Sequence, residues 1–158
     1  MRGRVSNILI TPTLPTTPEV RALIAELETA LEHPAYPPES QYGYSVEKLV
    51  AEGVAFFVIW VDGEPAGCGG IQFYGEAYGE LKRMYVRPQF RGLGLGKKMI
   101  EHLEEVACQR GVNVLRLETG TFQHEAIGLY EKMGFKQISA FGEYRASAVN
   151  VFYEKRMI

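Results

Sequence analysis

Hydrophobic and polar positions along this chain follow two periods, one helical and one alternating. Val5 to Ile10 is a short apolar run that predicts a strand. Val20, Leu23, Ile24, Leu27 and Leu31 then recur at helical spacing. Thr17-Pro18-Glu19 precedes them with a capping hydroxyl, a proline at the first helical position and an acid in the first turn. Pro34, Pro37 and Pro38 stop this helix, and His33 to Tyr44 reads as a loop rich in Pro and Tyr. Ser45 to Glu52 predicts a second, shorter helix closed by Gly53. Val54 to Val61, VAFFVIWV, is apolar on both alternating faces and predicts a central strand. Asp62-Gly63 is a hairpin turn, after which Ala66 to Tyr74 returns as a strand. Gly67, Gly69 and Gly70 within it mark a bulge or a close approach of backbone. A turn around Gly75 to Gly79 leads to Glu80 to Val86, the third member of an antiparallel meander.

The pattern changes after Arg87-Pro88. Leu95, Met99, Leu103 and Val106 mark a long amphipathic helix ending at Gly111, and Val112 to Glu118 predicts a strand. Strand, long helix and strand in succession read as a right-handed parallel crossover. A shorter helix covers His124 to Met133, and final strands are expected near Phe135 to Ala140 and Val149 to Lys155. The sum is an α/β fold: one domain over residues 1–158, with a mixed, mostly antiparallel sheet of about seven strands flanked by about four helices.

Composition narrows the function classes. The 158 residues are 46% hydrophobic and 23% charged, as a folded globular chain requires. The net charge of −2 lacks the basic surplus that a general nucleic-acid binder needs, so no nucleic-acid partner is expected. No apolar run reaches the roughly eighteen residues of a membrane span, and the first residues are too polar for a secretory signal. Cys68 and Cys108 are far apart, and His33, His102 and His124 stand singly. The expectation is therefore a cytoplasmic protein with reduced thiols, no membrane partner and no metal.

The chemistry-bearing stretch is Arg91-Gly92-Leu93-Gly94-Leu95-Gly96-Lys97, between a predicted strand and a predicted long helix. Three alternate glycines let the backbone turn tightly, and the first N–H groups of the helix make a cradle for phosphate or pyrophosphate. A P-loop, G-x-x-x-x-G-K-S/T, fails here because Arg91 stands at its first glycine and Lys98 at its hydroxyl. A dinucleotide fingerprint fails at Lys97 in one register and at Met99 in the other.

Arg91-x-x-Gly94-x-Gly96 resembles the acyl-coenzyme A signature R/Q-x-x-G-x-G/A of the GNAT superfamily of N-acetyltransferases. Gln123-x-x-Ala126-x-x-Leu129-Tyr130-x-x-x-Gly134-Phe135 resembles the family's second signature, N-x-x-A-x-x-L-Y-x-x-x-G-F, in the expected order and separation. Gln123 stands where the family commonly carries Asn. The resemblance implies an acetyl-CoA-dependent N-acetyltransferase that acts by direct transfer to a primary amine, most simply of a small molecule, with acetyl-CoA as cosubstrate. It implies that the pyrophosphate sits on Gly92 to Lys97 beside Arg91, with Gln123 nearby. The pantetheine arm would pair with the strand holding Met84, Tyr85 and Val86, where a backbone N–H stabilises the oxyanion. Glu80, eleven positions before Arg91, matches the family's glutamate base, with Glu118 as the runner-up. Tyr130 matches the residue that hydrogen-bonds the leaving sulfur. A homodimer through C-terminal strands would also be in keeping with the family. A non-catalytic acyl-CoA sensor and an enzyme acting on a protein amine are the rival readings.

The residues themselves add two expectations. On an alternating strand Glu80, Lys82 and Met84 face one way and Arg83 and Tyr85 the other, with Lys82 or Arg83 serving a substrate carboxylate, a cofactor phosphate or a solvated edge. Tyr36, Tyr42 and Tyr44 belong to a loop that either walls the acceptor pocket or packs on the surface.

Overall fold

The computed structural model describes Val5, residues 7–37 and residues 44–157. Its seven-stranded sheet has the order β1-β2-β3-β4-β5-β7-β6. The strands are β1 (Ile8–Pro12), β2 (Ala55–Val61), β3 (Glu64–Tyr74), β4 (Tyr78–Val86), β5 (Val114–Gly120), β6 (Lys136–Ile138) and β7 (Asn150–Arg156). The helices are α1 (Pro18–Ala30), α2 (Val46–Ala51), α3 (Leu95–Gln109) and α4 (His124–Lys132). Only the β4–β5 pair is parallel, joined by the α3 crossover; every other neighbouring pair is antiparallel. The expected α/β architecture, sheet and helix complement are those of the molecule.

Local chemistry explains the boundaries. Thr17 caps α1, its hydroxyl accepting from Val20 N–H at 3.4 Å, and Ser45 caps α2 in the same way from Lys48 N–H at 3.1 Å. Pro12 ends β1, an edge strand, where a missing N–H costs no ladder bond. β4 begins at Tyr78, so Glu80 lies inside the strand. Pro88–Phe90 forms one 3-10 turn between β4 and α3.

The sheet buries both faces. Leu95, Met99, Ile100 and Leu103 of α3 pack with Tyr130 of α4 against Leu81, Leu115 and Leu117. On the opposite face Val20, Leu23 and Ile24 of α1 pack with Val46 and Leu49 of α2 against Phe56 and Val58. β2 sends Phe57, Ile59 and Val61 to the first cluster and Phe56 and Val58 to the second. That is why VAFFVIWV shows no polar alternation: a strand covered on two sides needs apolar residues at every position. Each such side chain contributes about 2 kcal/mol by leaving water. No helix of the described residues is long and apolar enough to cross a membrane.

Candidate active site

β4 and β5 diverge after a short contact. Their parallel register holds only at Gly79 with Leu115 and Glu80 with Arg116. Beyond it, among the described residues, Leu81 to Val86 pair with β3 alone and have no partner on β5. The gap is part of a cleft of about 980 Å³ that runs from the start of α3 to the loop after α1. Glu80, Met84, Tyr85, Val86, Arg91, Gly92, Gly94, Leu95, Gly96, Lys97, Gln123 and Tyr130 all line this cleft, so the structure brings the sequence candidates together. Leu93 does not line it; its side chain packs on the main core. Tyr36 and Tyr44 also line the cleft, whereas Tyr42 lies outside the described residues.

At the α3 end the backbone builds the cradle. Gly92 and Gly94 have φ of +87° and +72°, in the left-handed region where a side chain is strained, and a Cβ on either would project into open space. Gly94 caps α3, and the first bond of the helix is Lys98 N–H to Gly94 C=O at 3.1 Å. The N–H groups of Leu95, Gly96 and Lys97 precede that bond and stay free of the helix ladder, at its positive pole. Gly96 serves packing: a Cβ there would come within 2.8 Å of Leu129 on α4, bringing the two helices together beside the cradle. Arg91 is half-exposed and pairs with Glu125 at 3.5 Å, and Gln123 stands at the N-cap of α4. A glycine-lined helix start with open space before it and an unpaired strand edge behind it fits a diphosphate joined to an amide-bearing arm.

The middle of β4 departs from the expected alternation. Lys82 pairs with Gly70 and Tyr85 with Cys68, so Arg83 and Met84 together oppose Gly69. This is a β-bulge, and Arg83 takes φ +55° to make it. The extra residue flips the faces downstream. Lys82 lies 3.9 Å from the Tyr44 ring centroid, Arg83 Nε donates to Tyr44 O at 2.9 Å, and Tyr85 OH points to Glu26. Glu80, Lys82, Arg83 and Tyr85 therefore share the α1 side, while Leu81, Met84 and Val86 pack on the α3 side. Met84, expected beside Glu80 and Lys82, lies on the opposite face, and Arg83 and Tyr85, expected away from Lys82, join it. The charges are buried, which removes the solvated-edge reading.

Two carboxylates stand at the other end of the cleft in different surroundings. Glu80 is 2% exposed; it pairs with Lys82 Nζ at 2.9 Å and accepts a hydrogen bond from Tyr144 OH. Lys82 Nζ also donates to the Tyr144 oxygen at 3.0 Å. Burial and the neighbouring Glu80 charge push the Tyr144 hydroxyl far above its ordinary range. Glu118, on β5, accepts from Asn150 Nδ2, and Ser147 OH donates to Asn150 Oδ1 at 2.8 Å. The Ser147 bond fixes which end of the amide faces Glu118. Burial pushes the Glu118 carboxyl up to about 7, with the Glu80 charge adding to the rise and Asn150 and Lys82 opposing it. Nearby, the His33 ring stacks on Phe122 at 4.1 Å and Tyr36 OH accepts from Phe122 N–H at 2.9 Å. This clasp ties the loop after α1 to the end of β5. Burial pushes the Tyr130 hydroxyl upward, and its ring meets Phe135 edge-on at 5.6 Å.

Tyr144, Asn150 and Ser147 have no counterpart among the sequence candidates. All three follow β6, and the return of β7 beside β5 brings Tyr144 and Asn150 to the cleft, with Ser147 behind Asn150.

The model of the acetyltransferase (GNAT) family matches residues 19–135. The chain is similar to the IAA acetyltransferase of Azospirillum brasilense, 37% identical over 150 residues that cover 94% of this chain and 97% of that one. A crystal structure from Klebsiella pneumoniae superposes with a TM-score of 0.78 at 38% identity, covering 96% of this chain and 98% of that one. The PaiA N-acetyltransferase of Thermoplasma acidophilum, solved with coenzyme A, shares the fold with a TM-score of 0.76 at 20% identity, over 96% of this chain and 99% of that one. A matched family, a parallel pair that opens beside a glycine-capped helix, and both signatures on one cleft lead to one assignment: the chain belongs to the acetyltransferase (GNAT) family and is by class an acetyl-CoA-dependent N-acetyltransferase.

Proposed function

We propose that the protein transfers the acetyl group of acetyl-CoA to a primary amine of a small molecule, by direct attack within a ternary complex. The observation that carries this reading is the continuity of one cleft from the α3 cradle to the buried Glu80 and the partly buried Glu118. The thioester, when bound, supplies an activated acyl carbon. The free N–H groups at the start of α3, with Lys97 and Arg91 beside them, hold the diphosphate. The unpaired edge of β4 around Met84, Tyr85 and Val86 holds the pantetheine arm. A backbone N–H of that segment stabilises negative charge on the carbonyl oxygen. Gln123 lies at the mouth of the same groove.

The amine must lose a proton to attack. An alkylammonium with pKa ~10.4 costs about 4.6 kcal/mol to deprotonate at pH 7. Glu80 and Glu118 are the carboxylates available. Glu80 already serves Lys82 and Tyr144. Glu118, pushed up to about 7, is matched to a general base at neutral pH, so we assign it the proton and give Glu80 the task of holding Lys82 and Tyr144. Tyr130 hydrogen-bonds the departing sulfur. Its raised pKa makes it a donor that keeps its proton while thiolate charge develops.

The Tyr36–Phe122–His33 clasp closes the cleft on one side, which suits a small acceptor better than a protein surface. The test is calorimetry with acetyl-CoA, followed by coenzyme A release across panels of small amines and peptides. Acetyl-CoA binding with thiol release that depends on a small amine supports the proposal. Binding with no acceptor-dependent release makes the protein a sensor; release with peptides alone makes it a protein acetyltransferase.

A further inference from the structure

Arg83 is a buried cation whose counter-ion is not buried. Its side chain is 6% exposed, whereas its partner Glu28 on α1 is 53% exposed. The guanidinium is fixed from behind: Nε donates to Tyr44 O at 2.9 Å, and the backbone stands at φ +55° in the bulge. A non-glycine residue held in that region is strained, and such strain gathers where a side chain must be aimed. Here the bulge turns Arg83 to the Lys82 side, into the cleft that Glu118 also lines. Glu28 lines the same cleft. Lys82 differs, because its ammonium is enclosed by Glu80, Tyr144 OH and the Tyr44 ring.

We propose that Arg83 binds a carboxylate of the acceptor and that Glu28 is the stand-in that the substrate displaces. A buried guanidinium must keep a negative partner in every state, and an exchange of one carboxylate for another meets that condition. Its planar fork suits a carboxylate better than a lysine would. The acceptor class is then a small molecule carrying both an amine and a carboxylate, an amino acid or a close relative. The carboxylate rests on Arg83 and the amine is presented toward Glu118. Glu28, on the surface of α1, swings into solvent. This rests on the acetyl-transfer reading for the role of the amine but not for the binding of the acid.

Two readouts separate those failures. The first is binding. The protein saturated with coenzyme A is titrated with free amino acids and with their carboxamides, following the Arg83 Nε–H resonance assigned by its loss in Arg83→Lys. An acid should move that resonance, and its amide should bind about tenfold to a hundredfold more weakly, the loss of charge-assisted hydrogen bonds. The second is Glu28→Gln, which removes the competing carboxylate from an exposed position. Acid binding should tighten by about threefold, the scale of a half-exposed pair. The proposal is overturned if acids and amides bind alike, if no amino acid moves the Arg83 resonance at millimolar concentration, or if Glu28→Gln weakens acid binding. Should acids bind as expected while no coenzyme A is released from acetyl-CoA, the transfer reading fails and the carboxylate site stands.

Discussion

Glu118 gives the sharpest prediction, because one substitution should move stability and activity in opposite directions. Its carboxyl rises from an ordinary 4.5 to about 7, chiefly by burial. The folded state therefore prefers it neutral. Below pH 4.5 the group is protonated in both folded and unfolded chains. Between 4.5 and 7 the unfolded chain ionises first, and stability falls as pH rises through that window. Above 7 the loss is complete and amounts to about 3 kcal/mol, an upper figure for a shift of this size. Glu118→Gln keeps an acceptor for Asn150 Nδ2 and removes the charge. The variant should match the parent near pH 4.5 and exceed it increasingly toward pH 8 in urea denaturation. Turnover should fall by roughly 10²–10⁴, the usual worth of a positioned base. In the parent, kcat/KM should decline with a midpoint near 7 as pH falls, and the variant should lack that limb. A variant less stable than the parent at pH 8 would refute the buried-charge account. A limb that persists near 7 in Glu118→Gln would move the proton to another group.

Three further outcomes test neighbouring parts. Asn150→Ala removes a hydrogen bond that lowers the Glu118 pKa, so the acid limb of kcat/KM should move up by ~1–2 pH units, with activity recovering at high pH. Tyr130→Phe should lower kcat while acetyl-CoA affinity by calorimetry stays within about twofold, the mark of an interaction made mainly in the transition state. Gly94→Ala should lower the urea midpoint by the equivalent of about 1 kcal/mol, because alanine must adopt φ +72°, and should weaken coenzyme A binding through the displaced cradle.

The architecture could be read from the sequence wherever a local rule has one outcome. Thr17-Pro18-Glu19 starts α1 where capping chemistry demands, Asp62-Gly63 turns β2 into β3, and Leu95, Met99 and Leu103 face the sheet from α3. The glycine bend and the helix start beside it were equally legible, because they are contiguous in the chain. The other end of the cleft was not. Three glycines in β3 pointed to a bulge or a close approach, and β3 does carry an extra residue at Ala66, beside Gly67, opposite the Ile59–Trp60 step; the second bulge, opposite Gly69, is on β4, at an arginine that carries no bulge signal. A rule of two residues per repeat then grouped Met84 with Lys82 and separated Arg83 and Tyr85 from it, the reverse of what the bulge produces. The different surroundings of the two carboxylates were hidden for a similar reason. Glu80 and Glu118 both look like strand residues near a turn, and their difference comes from Lys82, two positions along the same strand, and from Tyr144 and Asn150, which long-range packing delivers.

The two helical layers lie on opposite faces of one sheet, with the cradle leaning on α3 and α4, and Tyr44, Arg83 and Glu28 gathered toward α1. Changes on the α1 side can thus alter which acceptor fits while leaving the glycine bend on the α3 side in place. Substitutions that retune selectivity should concentrate before residue 45 and in the chain between β6 and β7, and the glycine bend should change least as the repertoire of acceptors shifts.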